Sequence, residues 1–366
     1  MKILLLGEYS NVHATLALGL RRLGHEVTVA SDGDSWKGYP RDVDLRRREY
    51  GKLGSLFYYL RLWKIFRRFR GYDVVQIINP VFIPLRAQRI LPFYRFLRRH
   101  NGRIFMGAFG IDHYYCKACA DCITFRYSDF NIGSTLRDTY ETKVWTDDWI
   151  NGAKGRLNIR IAADCDGIVA GLYEYYAAYR NEGFRHFTFI PFPIVPVSDN
   201  LAPKRAVPRK VKFFIGIQRK RSAYKGTDIM LRALERAVAL HPDKAEMVKA
   251  ESVPFAEYRR LMDGSHVILD QLYAYTPAMN ALEAMSRGLV VVGGGEPENY
   301  EILGEEELRP IINVEPDEES VFKALCGIIE QRSELPALSE ASREYIRRHH
   351  DYVEVARRYL GFWGEV

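Results

Sequence analysis

The chain has 366 residues, 47% of them hydrophobic and 27% charged, which excludes disorder and fibrous repeats and leaves room for two ordinary domains. Its net charge of +7 is uneven: residues 1–195 hold 29 Lys and Arg against 19 Asp and Glu, and the remainder 24 against 27. Five cysteines are too few for a secreted disulfide framework, no apolar stretch reaches bilayer length, and Glu8 interrupts the opening run before it resembles a signal peptide, so a cytoplasmic protein is expected, at most peripheral on the inner face of a cell membrane.

In chain order, "KILLLGEYSNVHATLALGLRRLGHEVTVAS" predicts strand, loop, helix and strand, with Ser10 or Asn11 capping the helix and Gly24 ending it. Short apolar runs follow at "YDVVQII", "GRIFMGAFG", "CDGIVAG" and "FTFIPF", separated by helical segments. This alternation predicts a doubly wound α/β domain. "PFPIVPVSDNLAPKRAVPRK" carries five prolines and no periodicity, the signature of a linker. A second series then runs through "VKFFIGI", "AEMVKAE", "HVILDQ", "LVVVGGG" and "PIINV". The expected organisation is an N-terminal Rossmann-like domain over 1–195, a linker over 196–209 and a second Rossmann-like domain over 210–345. A helix over 346–366 can pack back on the first domain. Ligands in such sheets bind beyond the carboxyl ends of the strands, so two such domains are expected to face one another across a cleft. No GxGxxG follows the first strand of either half and no GxxxxGK[ST] occurs, which argues against a dehydrogenase or a P-loop NTPase.

Three stretches carry candidate chemistry. "GIQRKRSAYKG" (216–226) brings Arg219, Lys220, Arg221 and Lys225 beside the start of a helix for which Thr227 is the expected cap. Free amides and cations together suit a diphosphate, although a solvated charge run has the same composition. "YTPAMNALEAMSRG" predicts a helix opened by Thr276 and Pro277 and closed by Gly288. It places Glu283 among apolar neighbours, where vicinal ribose hydroxyls or a nearby Arg or Lys would have to satisfy it. "GGGEPEN" supplies Gly294, Gly295 and Glu296 in a turn whose glycines permit close backbone approach to a ligand.

The order "G…R…KGTD" then "EAMSRGLVVVGGG", with "GHEVTV" near the start, resembles the family-4-like retaining glycosyltransferases of GT-B fold that build bacterial polysaccharides and glycolipids. The resemblance implies that Arg219 and Lys225 hold the donor diphosphate, with Lys220 or Arg221 as substitutes. It implies that Glu283 is the second acid of an E-x7-E motif and binds the ribose, and that Gly7 and Glu8 lie near the donor phosphates. Asp112 and His113 would then lie near the donor sugar and acceptor. Tyr275 stands where the family places the first acid of E-x7-E. The implied reaction transfers a sugar from a nucleoside diphosphate sugar, UDP- or GDP-linked, to a glycan or lipid-linked acceptor, with no cofactor and no required metal. Rival readings keep the fold as a sugar-nucleotide epimerase or phosphorylase, or drop catalysis for a basic protein that binds nucleic acid or membrane.

Two further features need a place. "LFYYLRLWKIFRRFR" (56–70) sets Arg61, Lys64 and Arg68 on one helical stripe among aromatics, a pattern of anionic membrane surfaces. Cys116, Cys119 and Cys122 have a spacing that metals use, with His113 or Cys165 as a fourth ligand, but only one such cluster exists and free thiols are the expectation. His13, on the first helix, could reach a site near Gly7.

Overall fold

A computed structural model describes residues 1–198, 206–218, 221–251, 253 and 255–365. The chain divides into two compact units: Met1–Asp121, Lys143–Pro193 and Tyr352–Val366 form the first, Cys122–Thr142 and Ile194–Asp351 the second. Residues 122–142 thus belong with the second unit although they fall inside the 1–195 stretch. Part of the linker sequence and both Arg219 and Lys220 lie outside the described residues.

The first unit holds strands β1 (Lys2–Leu6), β2 (Glu26–Ser31), β3 (Val43–Asp44), β4 (Val74–Ile77) and β5 (Arg103–Ala108). In the second unit's inserted stretch, β6 (Asn131–Ile132) and β7 (Thr135–Leu136) make a small hairpin. The first unit then adds β8 (Gly167–Ala170) and β9 (Phe187–Phe189). Its seven strands form one parallel sheet in the order β3-β2-β1-β4-β5-β8-β9. Strands buried on both faces read as continuous apolar runs, and β1 (Ile3 to Leu6) is wholly buried. Helices α1 (Val12–Arg22), α2 (Gly51–Phe66), α3 (Leu91–His100), α4 (His113–Ala120), α5 (Tyr140–Trp145), α6 (Ala153–Asp164) and α7 (Tyr173–Tyr179) occur along this stretch.

The second unit builds β10 (Val211–Ile217), β11 (Ala245–Glu251), β12 (Val267–Leu269), β13 (Val290–Gly293) and β14 (Ile312–Asn313) into a parallel sheet ordered β11-β10-β12-β13-β14. Between them run α8 (Ser222–Lys225), α9 (Thr227–Leu240), α10 (Phe255–Asp263), α11 (Met279–Ser286) and α12 (Pro297–Leu303), followed by α13 (Glu318–Glu330) and α14 (Leu335–His349). Val211, Phe213 and Ile215 of β10 meet Met230, Leu234 and Ala237 of α9 and Val321, Leu325 and Ile329 of α13 in one core. Each of these side chains larger than alanine contributes about 1.5–3 kcal/mol by leaving water.

The last helix, α15 (Tyr352–Glu365), is part of the first unit. Its Trp363 lies against Phe105, with ring centroids 6.1 Å apart, and is wholly buried.

Several helix ends differ from expectation. The cap residue of α1 is Asn11 at φ 73°, but its side chain makes no cap bond. Glu8 does that work from upstream, accepting from the N–H groups of His13 (3.2 Å) and Ala14 (2.8 Å). Gly226, at φ 70°, precedes α9 where Thr227 was expected to cap. Helix α11 starts after Ala278, two residues beyond Thr276, because Thr276 and Pro277 remain in the loop. Gly24 (φ 85°) and Gly288 (φ 75°) end α1 and α11 as left-handed residues, as expected.

Candidate active site

At the carboxyl end of the first sheet, Gly7 follows β1 with φ 86°, and a Cβ there would stand 2.3 Å from Ile78. Only glycine fits this turn. The Glu8 carboxyl, 2% exposed, caps α1, yet burial pushes its pKa up to about 8. The Gly7 carbonyl accepts from His13 Nδ1 at 2.9 Å, which fixes the tautomer and leaves Nε2 as a buried acceptor without a partner. Burial lowers His13 to about 3, so the ring is neutral.

The loop after β5 carries the other predicted pair. Asp112 is fully buried, and its oxygens accept from Tyr115 N–H (2.9 Å) and Tyr179 O–H (2.7 Å). Burial raises its carboxyl to about 6. With both oxygens engaged, Asp112 acts as the cap of α4 and so positions His113, the helix's first residue. His113 donates its own N–H to Asn158 (2.9 Å), and its Nδ1 lies 2.8 Å from the Trp149 carbonyl. Nδ1 therefore carries a proton and donates it to that carbonyl.

In the second unit, Lys225 ends α8, and the next loop, after β12, is bonded to it through Leu272 N–H and the Lys225 carbonyl (3.0 Å). Burial raises the carboxyl of Asp270 above its ordinary value, and the Lys225 charge works against that rise. Asp270 also accepts from Asn280 (2.9 Å), whose carbonyl oxygen accepts from Tyr258 O–H (2.9 Å). Arg221 is exposed, its guanidinium 5.5 Å from the Tyr224 ring centroid.

Glu283 is less buried than its apolar neighbours in the sequence suggest, and an arginine, one of the two partners anticipated for it, meets it. Its side chain is 35% exposed, so the cost of burial does not arise, and it takes two bonds from Arg287 (2.7 and 3.1 Å). The pairing with a nearby arginine, rather than a buried carboxylate, is what the fold provides. Gly294 and Gly295 face close packing within the protein. A Cβ on Gly294 would meet the Ala274 carbonyl at 2.4 Å, and one on Gly295 would meet Ile311 at 2.7 Å.

Residues 122–142 contribute what the sequence did not suggest. The Arg126 N–H donates to the Tyr275 hydroxyl (2.7 Å), and the Arg126 guanidinium lies 4.9 Å from that ring's centroid. Arg126 also pairs with Glu296 (2.8 Å) and with Glu298. Glu296, 5% exposed, further accepts from Tyr127 O–H and from Asn313 (2.8 Å). Arg137 stacks 3.6 Å from the Tyr273 centroid and donates to the carbonyls of Ala223 (2.6 Å) and Tyr224 (3.2 Å). This strap therefore touches α8, which follows β10, and the loops after β12 and β13, at the end of the sheet where such folds take ligands. No local sequence signal announces it, since its partners lie 86 to 172 residues away.

The thiols of Cys116 and Cys119 are buried on α4, and no group of three or more His, Cys, Asp or Glu among the described residues is arranged to hold a metal. Arg61 is turned back onto Glu49 (3.3 Å) and the Arg46 carbonyl (2.5 Å), leaving Lys64 and Arg68 as the exposed members of its stripe.

No family model and no curated protein matches the sequence. Solved structures do match. HepE of Anabaena, determined with UDP-glucose, is similar over 100% of both chains at 12% identity with a TM-score of 0.60. Sucrose-phosphate synthase of Thermosynechococcus elongatus is similar over 100% of this chain and 99% of its own, at 14% identity and a TM-score of 0.60. WaaG, a glycosyltransferase involved in lipopolysaccharide biosynthesis, covers 98% of each chain at 13% identity and a TM-score of 0.53. Likeness at this level establishes the architecture: the chain has the GT-B fold of glycosyltransferases, two Rossmann-like α/β domains.

Proposed function

We propose that the protein is a glycosyltransferase that moves a sugar from a nucleoside diphosphate sugar to a glycan or lipid-linked acceptor, with retention of configuration. The observation that carries this reading is Lys225. It stands at the carboxyl end of the second sheet, beside Asp270, in a fold shared with a structure that holds UDP-glucose. In this reading Lys225, with Arg219 or Arg221, neutralises the diphosphate as the bond from the sugar C1 to the diphosphate oxygen breaks. The acceptor oxygen forms the new bond to C1, and its proton passes to the departing diphosphate. Side chains and helix ends carry the phosphate charge, so the reaction needs no divalent metal. His113, its ring held in orientation by the Nδ1 contact to Trp149, suits contact with a sugar hydroxyl through Nε2.

An epimerase would need carboxyl groups or histidines in the site for acid and base work. Glu8 and Asp112 are committed to helix N-termini, which favours transfer.

Thermal unfolding of wild type and Lys225→Ala against UDP, GDP, ADP, CMP and NAD tests the donor reading. A bound nucleotide at a hundred times its Kd stabilises by about 2.7 kcal/mol. One nucleoside diphosphate is expected to shift the wild type and not the variant, and sugar transfer by the variant is expected to fall about 10²–10³-fold. A variant with undiminished turnover would remove Lys225 from the mechanism.

A further inference from the structure

Helix α2 has two faces of different fate. Tyr58, Leu62 and Phe66 are buried, and Trp63 stacks on Phe93 of α3 with centroids 4.3 Å apart. Its opposite face is apolar and uncovered: Leu53 is 72% exposed, Leu56 52%, Phe57 61% and Leu60 54%. These residues fall at i, i+3, i+4 and i+7, so they form one row. Tyr50, 78% exposed, stands one residue before the helix. Continuing the helical repeat, the row passes into Lys64 and Arg67, both exposed. Lys52 and Arg68 are exposed as well, and no Asp or Glu occurs from 50 to 72.

We infer that this row is a membrane-docking element: the leucines and Phe57 enter the boundary between headgroups and acyl chains of an anionic bilayer, and the cations hold its phosphates. The chemistry selects this occupant. A row of aliphatic side chains needs an apolar medium. The exposed cations beside it, Lys52, Lys64, Arg67 and Arg68, with no Asp or Glu from 50 to 72, need an anionic one. A bilayer with acidic headgroups supplies both within one thickness of a helix. A second copy of this chain placed on the same face would bring like charges together. Single-stranded nucleic acid would seek aromatic stacking platforms, and three of the four exposed row members are leucine. The stripe of Arg61, Lys64 and Arg68 lies on the same helix, but the apolar row carries the proposal, since Arg61 is occupied by Glu49.

This inference does not depend on the transfer reaction, because vesicle binding requires no donor. The purified full chain is floated with vesicles of phosphatidylcholine and phosphatidylglycerol, and with phosphatidylcholine alone, at low and high salt. Wild type is expected to float with the anionic vesicles, more weakly at high salt. The Leu56→Glu/Phe57→Glu and Lys64→Glu/Arg67→Glu variants are each expected to lose about tenfold or more in partitioning, with circular dichroism and unfolding temperature unchanged. Failure of the wild type to float at low salt would overturn the proposal. Flotation undiminished by Leu56→Glu/Phe57→Glu would also overturn it. So would a wild-type dimer in sedimentation that this variant dissociates, which would assign the row to self-association.

Discussion

Glu8 illustrates how one side chain can be held by opposing demands. Two amide N–H groups at the start of α1 favour its carboxylate, and complete burial favours its neutral acid. Burial prevails, with a value near 8 against 4.5 for the free group. The folded state therefore binds a proton that the unfolded chain releases at lower pH. Stability from this group is full below pH 4.5 and is lost as pH rises to about 8, by on the order of a few kcal/mol. Unfolding temperatures measured across that window are expected to decline in wild type and to stay flatter in Glu8→Gln. Parallel curves would mean that Glu8 is ionised in the folded protein at neutral pH. From sequence, the glycine and acid after β1 were legible as a loop. The capping role was not, because it depends on a turn through Ser10 and Asn11, both at positive φ.

At the scale of elements, the strands were readable and the strap was not. "VKFFIGI" coincides with β10 because a strand buried on both faces carries its own apolar signature, and the more polar "AEMVKAE" coincides with β11 at the sheet's edge. The two-residue β3 has no such run. Residues 122–142 are held by polar contacts to distant loops, Arg126 to Glu296 across 170 positions, which no window along the chain contains. Lys225 could be singled out from its loop, but Asp270 and Asn280 acquire meaning only when β12 and α11 are brought together. The strap's attachment can be tested at Tyr275. Tyr275→Phe removes the acceptor of the Arg126 N–H, at a cost of about 1–3 kcal/mol for an amide left unpaired. Trypsin cleavage after Arg126 is expected to accelerate, with little change at sites in the first unit. An unchanged cleavage rate would mean that the guanidinium contacts to Glu296 and Glu298 suffice.

For the molecule as a whole, the chain's return to its first unit is the organising fact. Helix α15 packs on α1 so closely that a Cβ on Gly19 would lie 2.1 Å from the Tyr352 carbonyl. Gly19→Val is therefore expected to displace α15, costing about 1–3 kcal/mol or more by overpacking. Quenched Trp363 fluorescence or faster exchange of the amides of α15 would report it. A variant as stable as wild type would show that α1 can shift to accommodate the branch. The same connection orders events during synthesis. Residues 352–365 leave the ribosome only after 194–351 have been made, roughly ten to thirty seconds later at ordinary elongation rates. Throughout that interval the flank of α1 and the Phe105 side of the nascent first unit have no cover, so the second unit can complete its core before the first does.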